Sequence, residues 1–228
     1  MYILCLETAT SRCSVSLFHN NILLAVKESD ELNAHSQRLS AFILELFQQT
    51  GLQPIQLSAV AVSQGPGSYT GLRIGMSTAK GLCYGLSIPL ILIPTNLILA
   101  KACLHECAVA SDELICSMID ARRMEVYHSI YDARLNAVIE TEPHILTDKS
   151  YQDYLEKSIV HFVGDGVAKA STILSHPSAR FHNDVLLSSR YMIQLALDKL
   201  QRNDVDDVAY STPFYLKEFL TKPPKSYF

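Results

Sequence analysis

The chain has 228 residues, of which 48% are hydrophobic and 18% are charged. This length supports one large domain or two lobes, and the hydrophobic fraction excludes an intrinsically disordered chain. The formal net charge of −4 argues against a protein that binds nucleic acid by its overall charge. The start of the chain carries Glu7 and no basic segment, and prolines interrupt the apolar stretch 86–100. We therefore expect a cytoplasmic protein without a signal peptide or membrane span.

The first half of the chain predicts the order βββαβαβ. Residues 2–6, 14–18 and 22–27 alternate or run apolar, which is typical of three antiparallel strands. A short strand at 59–63, a second helix and a strand at 88–93 follow the first helix, and another helix is predicted at 96–103. The first helix is amphipathic, with apolar residues at helical spacing: Leu39, Phe42, Ile43, Leu46 and Phe47.

The same order returns in the second half. Strands are predicted at 114–119, 124–131, about 138–146 and 159–163, with helices at 151–156 and about 189–200. Glu7 ends the first strand of one half and Asp120 ends that of the other, and the Gly-Pro-Gly sequence at 65–67 has a Gly-Asp-Gly counterpart at 164–166. A repeat of this length predicts a duplicated lobe and not a solenoid. We place the lobes at residues 1–105 and 106–228, with a reduced second lobe.

A glycine-rich loop at 65–75 leads directly into the second helix. Each glycine inside a helix costs about 1 kcal/mol relative to alanine, so several of them imply the close approach of another backbone or a ligand. The helix retains four: Gly71, Gly75, Gly81 and Gly85.

One face of this helix predicts a groove for a partner helix. Gly71, Gly75 and Ala79 recur every four residues and therefore share a face. We predict that this groove and the apolar stripe of the first helix form a partner interface, unless the chain's own sheet covers them. The alternative is that both helices simply pack on that sheet, and both can hold if one face covers the sheet while the other meets a partner. The predicted interface residues of the second helix are Gly71, Leu72, Gly75, Met76 and Ala79.

An acidic residue at the end of a strand, followed by a hairpin, occurs once per lobe. This arrangement resembles the phosphate-binding hairpins of the actin, hexokinase and heat-shock chaperone superfamily. The resemblance implies an α/β fold of two RNase H-like lobes, the second one short, of the actin-like ATPase type found in heat-shock chaperones and sugar kinases. Phosphate-binding turns generally need glycine, whereas Ala9 stands at that place here.

A residual nucleotide cleft would therefore have to be built from the two hairpins. The alternative is that the hairpin tips only carry solvated charge. Arg12, Arg122 or Arg123 would meet a phosphate in such a cleft. The candidate cleft residues are Glu7, Thr8, Thr10, Arg12, Asp120 and Arg122.

Several segments together resemble the TsaB (YeaZ) family: residues 6–10, 34–36, 65–75, 120–127 and 164–166. The sequence Pro-Phe-Tyr-Leu-Lys at 213–217 is similar to the family's terminal Pro-x-Tyr-Leu-Arg, with lysine in place of arginine. The resemblance implies a noncatalytic scaffold subunit of the bacterial machinery that makes N6-threonylcarbamoyladenosine beside the anticodon of tRNAs reading codons that begin with adenine.

The same resemblance implies a set of partners. These are a catalytic TsaD-like paralogue bound through the helices of the first lobe, a TsaE-like ATPase, a second copy of the chain when it is alone, and tRNA through the complex. It implies no cofactor required by this chain alone, and it leaves open ADP or ATP at the joint between subunits.

Two enzymatic alternatives remain: a free-standing ATPase or small-molecule kinase, and a glycoprotease-like peptidase. Ser68, Cys83 and the eight histidines form no recognised nucleophile-base pattern. Metal binding in the catalytic paralogue is implied to use two histidines one helical turn apart, whereas His35 is followed by Leu39, so we predict no metal site. The six cysteines lie mostly in apolar segments and predict reduced thiols.

Overall fold

The computed structural model describes residues 1–30 and 35–217, and for residues 35–37 it describes the backbone alone. The strands form two mixed five-stranded sheets. The first sheet contains β1 (Tyr2–Glu7), β2 (Cys13–His19), β3 (Ile22–Ser29), β4 (Leu57–Gly65) and β5 (Leu90–Pro94). The second contains β6 (Leu114–Asp120), β7 (Glu125–Asp132), β8 (Ala137–Ile145), β9 (Val160–Val163) and β10 (Ala179–His182). The helices are α1 (His35–Thr50), α2 (Tyr69–Leu86), α3 (Thr95–Glu106), α4 (Gln152–Leu155), α5 (Val167–Ala170) and α6 (Ile193–Gln201), with 3₁₀ turns at Pro54–Gln56 and Ser189–Tyr191.

The two sheets have the same topology. Their strand orders are β3-β2-β1-β4-β5 and β8-β7-β6-β9-β10. In each sheet the first three strands pair antiparallel and the last two join in parallel. The predicted α/β fold is confirmed, as are the βββαβαβ order of the first half and the return of βββαβ in the second. Prediction missed β10 and α5, because each has four residues and the side chains of β10 are largely half-exposed, which leaves little hydrophobic pattern.

The reduction of the second lobe lies in its helices. Helices α1 and α2 have 16 and 18 residues, whereas their counterparts in the second repeat, α4 and α5, have four each. Among the helices that the structure describes, none combines the length and apolar character needed to cross a bilayer.

Three apolar layers hold the molecule together. Helices α1 and α2 cover one face of the first sheet, α3 and α6 lie between the two sheets, and α4 and α5 cover the outer face of the second. The predicted boundary after residue 105 remains a prediction, because α3 packs against strands of both sheets. All six cysteines are free thiols, and only Cys107 is not fully buried.

The predicted groove of α2 faces this chain's own sheet. Leu72 and Ala79 have no exposed surface and Met76 is 3% exposed. The prediction that this face is open to a partner is wrong, because β1 and β4 already occupy it and the helix packs on the chain's own sheet. The same correction applies to the inward residues of α1: Leu39, Phe42, Leu46 and Phe47 are buried, and Ile43 is half-buried.

The glycines just before α2 and in its first turns leave room for the turn that follows β1. A Cβ at Gly71 would lie 2.1 Å from the Thr8 carbonyl oxygen, and one at Gly67 would lie 2.2 Å from that of Ala9. A Cβ at Gly75 would lie 2.3 Å from Thr8 Oγ1. These distances are too short for any side chain. The close approach that the glycines implied is therefore that of the chain's own β1–β2 turn.

The remaining glycines of α2 lie on the other side of the helix. Gly81 and Gly85 are exposed, and a Cβ at either would meet no atom within 4 Å. Packing among the described residues therefore gives no reason for glycine at these two positions.

Alanine substitutions should separate the two kinds of glycine. We expect Gly71→Ala to lower the free energy of unfolding by about 1–3 kcal/mol, because the new Cβ overlaps a backbone oxygen. Gly81→Ala should raise it by roughly 0.5–1 kcal/mol, because alanine is the better helix former and nothing obstructs it. Urea denaturation of both variants measures this, and equal effects would contradict the account.

Candidate functional site

The candidate nucleotide residues of the first hairpin are sealed inside the lobe. Glu7 and Thr8 have no exposed surface. The Ala9 N–H donates to Glu7 Oε1 at 2.5 Å, and the Thr8 N–H donates to Ser63 Oγ at 3.5 Å. Because the turn rests on the start of α2, a phosphate has no access to this carboxylate. The prediction that Glu7 and Thr8 line an open cleft is wrong.

Arg12 is already engaged by carboxylates. Its guanidinium lies 3.0 Å from Glu28 Oε2 and 3.3 Å from Asp30 Oδ1. Thr10 Oγ1 accepts a hydrogen bond from the Arg12 N–H at 3.3 Å and so stabilises the turn. The predicted phosphate contact by Arg12 is therefore wrong for this structure, and Thr10 has a local structural role.

Glu28 joins the first hairpin to the segment that precedes α6. It pairs with Arg190 at 2.6 Å and accepts a hydrogen bond from the Ser188 hydroxyl. Burial raises the pKa of the Glu28 carboxyl, but the Ser188 hydroxyl and the charges of Arg12 and Arg190 outweigh burial and hold it below its usual value. Sequence reasoning missed this cluster, because no local pattern links residues so far apart in the chain.

Asp120 organises the second hairpin. Its Oδ1 accepts hydrogen bonds from the Arg122 N–H at 2.5 Å and from Lys169 Nζ at 2.8 Å. Lys169 Nζ also donates to the carbonyl oxygens of Arg123 and Glu125, each at 2.8 Å. Arg122 and Arg123 have positive φ angles of 68° and 50° and are exposed. The structure therefore buries Glu7 and exposes Asp120, and the two carboxylates do not share one site.

The Gly-Asp-Gly turn repeats the packing of the first lobe. A Cβ at Gly164 would lie 2.2 Å from the Met118 carbonyl oxygen, and the Gly166 N–H donates to the same oxygen at 3.2 Å. In the first lobe the corresponding turn packs on Ala9, just after β1, whereas in the second it packs on Met118 within β6, so the two turns occupy similar places near the end of the first strand of their sheets.

The chain after α6 covers the free edge of the first sheet. The Asp206 N–H donates to the Leu90 carbonyl at 2.9 Å, and the Leu92 N–H donates to Asp206 Oδ2 at 2.8 Å. Farther on, the Phe214 N–H donates to the Gln64 carbonyl at 2.8 Å. The segment 206–217 therefore runs from β5 to the glycine-rich loop.

The end of this segment contacts both lobes. The ring of Tyr215 lies 5.0 Å from that of Tyr69 in α2, and the Arg73 guanidinium lies 4.6 Å from the Tyr69 ring centre. Lys217 pairs with Glu125 of β7. The terminal motif, recognised only as a sequence resemblance, thus links the glycine-rich loop to the second sheet.

The solvent side of α1 and α2 forms a surface that we call the outer face, represented by Leu44, Gly81, Tyr84 and Gly85. Leu44 is 59% exposed and Tyr84 is 83% exposed. The sequence alone predicts the partner interface on a different face of α2, the one that carries Gly71 and Gly75. The available signal was the four-residue spacing of Gly81 and Gly85, which matches that of Gly71 and Gly75.

A separate cavity of about 250 Å³ lies beside the second sheet, and its lining includes His128, His144 and Tyr151. Burial, and for His128 also the charge of His144, lowers the pKa of both imidazoles. Within the residues whose side chains are described, no cluster of His, Cys, Asp or Glu is arranged to hold a metal ion. The side chain of His35 lies outside the described part.

Glu7 should make the stability of the chain depend on pH. Burial raises the pKa of its carboxyl from 4.5 to about 7, although hydrogen bonds with Ala9, Ser63 and Thr8 partly compensate. The folded state then binds the proton more tightly than the unfolded state, so this residue's contribution to stability falls as the pH rises from 4.5 to about 7. Glu7→Gln should remove that decline, as measured by urea denaturation across this range. An unchanged pH profile in the variant would contradict the assignment.

Comparison with known proteins places these features in a family. The family model described as "TsaD: tRNA N6-adenosine threonylcarbamoyltransferase" matches residues 29–225. The tRNA threonylcarbamoyladenosine biosynthesis protein TsaB of Haemophilus influenzae is 36% identical over 56% of this chain and 52% of its own length. The protein of the same name from Escherichia coli is 32% identical over 60% of this chain and 58% of its own length. The chain thus spans little more than half the length of these relatives.

Solved structures agree with this placement. YeaZ from Pseudomonas aeruginosa has a TM-score of 0.77 and 25% identity, covering 94% of this chain and 99% of its own. The ethanolamine utilization protein EutJ from Carboxydothermus hydrogenoformans shares the fold alone, with a TM-score of 0.52 and 11% identity over 86% of this chain and 90% of its own. Because the family model matches well over half of the residues, the chain belongs to the TsaD family, in which it resembles the TsaB (YeaZ) proteins and has their actin-like ATPase type of fold.

Proposed function

We propose that this chain is a noncatalytic scaffold subunit of the assembly that forms N6-threonylcarbamoyladenosine in tRNAs reading codons that begin with adenine. Its catalytic partner is a TsaD-type paralogue. Support comes from the family match and from the names of the relatives, which refer to tRNA threonylcarbamoyladenosine biosynthesis. Further support comes from the burial of Glu7 and Thr8, which removes the acid and hydroxyl of the first hairpin from any substrate.

The main structural support for the proposal is the exposure of the outer face. Tyr84 is 83% exposed, and beside it a Cβ at Gly81 or Gly85 would meet no atom of the described residues within 4 Å. Two glycines one turn apart lower the helix surface, so that the backbone of a partner helix can approach closely. A large aromatic ring next to such a depression is typical of the centre of a protein interface. The outer face therefore serves the TsaD-type paralogue in the complex and a second copy when the chain is alone.

The two enzymatic alternatives find less support. A kinase or ATPase needs a phosphate-binding turn, whereas the first turn contains Ala9 and packs on Gly67 of the glycine-rich loop. A peptidase needs a nucleophile beside a base, whereas Ser68 Oγ caps α2 by accepting from the Gly71 N–H at 3.2 Å. The buried Cys83 thiol donates to the Pro89 carbonyl at 3.4 Å. In the proposed assembly any ADP or ATP lies at the joint between subunits, and ATP turnover belongs to a TsaE-like ATPase.

Substitutions on the outer face should weaken the complex without unfolding the chain. We expect Gly85→Leu and Tyr84→Glu to abolish co-purification with a TsaD-type paralogue, because one fills the depression and the other places a charge against the partner. The unfolding midpoint should stay near that of the parent, since neither position is packed within the chain. Val138→Glu, at a residue 48% exposed on the second sheet, is the matched control and should still co-purify. Undiminished co-purification of both outer-face variants would overturn the proposed interface.

A modification assay with each subunit omitted in turn tests the division of labour. Threonylcarbamoylation of tRNA should require this chain together with the paralogue, and this chain alone should yield no product. Modification by the isolated chain would contradict the scaffold role. Full activity in its absence would contradict its membership of the assembly.

A further inference from the structure

Exposed aromatic side chains lie where the C-terminal segment crosses the glycine-rich loop. We call Tyr69, Phe214 and Tyr215 the aromatic platform. Phe214 is 41% exposed and Tyr215 is 37% exposed, and the Tyr215 ring leans on Tyr69 at 5.0 Å with an interplanar angle of 36°. The hydrogen bond from the Phe214 N–H to the Gln64 carbonyl, at 2.8 Å, fixes the backbone beneath these rings. The platform is therefore held in place by its backbone while its rings remain partly exposed.

Cationic side chains flank the platform in both lobes. The exposed Arg73 stacks on Tyr69 at 4.6 Å, and Lys217 follows the platform in the chain. Arg122 and Arg123 project from the turn between β6 and β7, and neither forms an ion pair within the part of the chain that the structure describes. Arg73 thus borders the platform directly, and the pairing of Lys217 with Glu125 brings the chain after the platform to the strand that follows the turn with Arg122 and Arg123.

Glu125 connects the two groups of charges. It begins β7, shortly after Arg122 and Arg123 in the chain, and it pairs with Lys217. The nearby carboxylates are already neutralised, since Glu125 pairs with Lys217 and Asp120 with Lys169. The net local charge is positive, although the whole chain is acidic.

We propose that the aromatic platform, with Arg73, Arg122 and Arg123, binds an unpaired segment of RNA. Exposed rings and a guanidinium stacked on one of them suit the faces of bases, and the arginines suit phosphates. A duplex offers phosphates but keeps its bases stacked, so it leaves the rings unused. This inference rests on the proposed function, in which the RNA is a tRNA and its unpaired segment is the anticodon loop.

The chemistry of the platform favours RNA over a protein partner. Protein interfaces concentrate apolar area at their centre, and of the charged residues only arginine is common there. Here a stacked arginine is joined by the exposed Lys217, Arg122 and Arg123, which suits a chain of phosphates, whereas the outer face of α1 and α2 has the apolar and glycine character that a helix requires. The two surfaces are therefore assigned to different partners.

Binding of a labelled anticodon stem-loop, followed by fluorescence anisotropy, tests the inference with the full chain and with its complex. The stem-loop should bind more tightly than a duplex with the same number of phosphates. Tyr215→Ala should weaken stem-loop binding roughly 5- to 150-fold, which is the usual effect of removing one stacking ring, with the salt dependence unchanged. Tyr215→Phe keeps a ring and should bind like the parent.

The arginines should contribute in a different way. Arg122→Gln should reduce the slope of log affinity against log salt concentration by about 0.7, because one phosphate contact to a single strand is lost. Arg134→Gln is the matched control, since Arg134 is an exposed cation beyond the opposite end of β7, and it should change neither affinity nor slope. Because Arg122 makes no ion pair within the described residues, this variant tests the inference even where Tyr215→Ala impairs folding.

Unchanged stem-loop affinity in both Tyr215→Ala and Arg122→Gln would overturn the inference. Loss of co-purification with the paralogue in Tyr215→Ala, with RNA affinity intact, would overturn it as well and would reassign the platform to a protein partner. The proposed function is tested separately, because co-purification of the outer-face variants is measured without RNA.

Discussion

The close approach of the turn after β1 to the first turns of α2 determines the arrangement of the first lobe. Glycine at 67 and 71 lets the Ala9 and Thr8 backbone lie where side chains would otherwise stand, and glycine at 75 makes the same room for the Thr8 hydroxyl. This approach buries Glu7 and seats α2 on the sheet. Nearby, at the end of β4, the Gln64 carbonyl accepts a hydrogen bond from the Phe214 N–H.

The surfaces available to other molecules follow from this packing. One glycine face of α2 packs inside the lobe. The side that remains open to a partner helix is the one on which Gly81, Tyr84 and Gly85 are exposed. In an actin-like fold the hairpins would ordinarily hold phosphate, but here one is sealed and the other is tied by Lys169. The chain thus keeps the duplicated architecture of an ATPase while its exposed features are suited to binding, which agrees with a scaffold role.

Local patterns in the sequence were sufficient for the order of elements. Alternation in the hairpin strands and helical spacing from Leu39 onward predict the repeated topology, and the glycines predict a close backbone approach. Periodicity shows which residues share a face of a helix, but it does not show which face points inward. For this reason the sequence alone predicts a partner groove at Gly71 and Gly75, whereas the structure packs these residues inside the lobe. The pairing of Glu28 with Arg190 depends on tertiary contacts between distant residues, which no local spacing encodes.

Titration of the isolated chain with Mg·ATP by calorimetry tests the central claim most directly. The seating of the turn on α2 closes the phosphate position of the first hairpin, so the account predicts no saturable binding and no turnover by the chain alone. Tight binding with ATP hydrolysis that is lost in Glu7→Gln would contradict it, because the buried carboxylate would then have to reach a nucleotide.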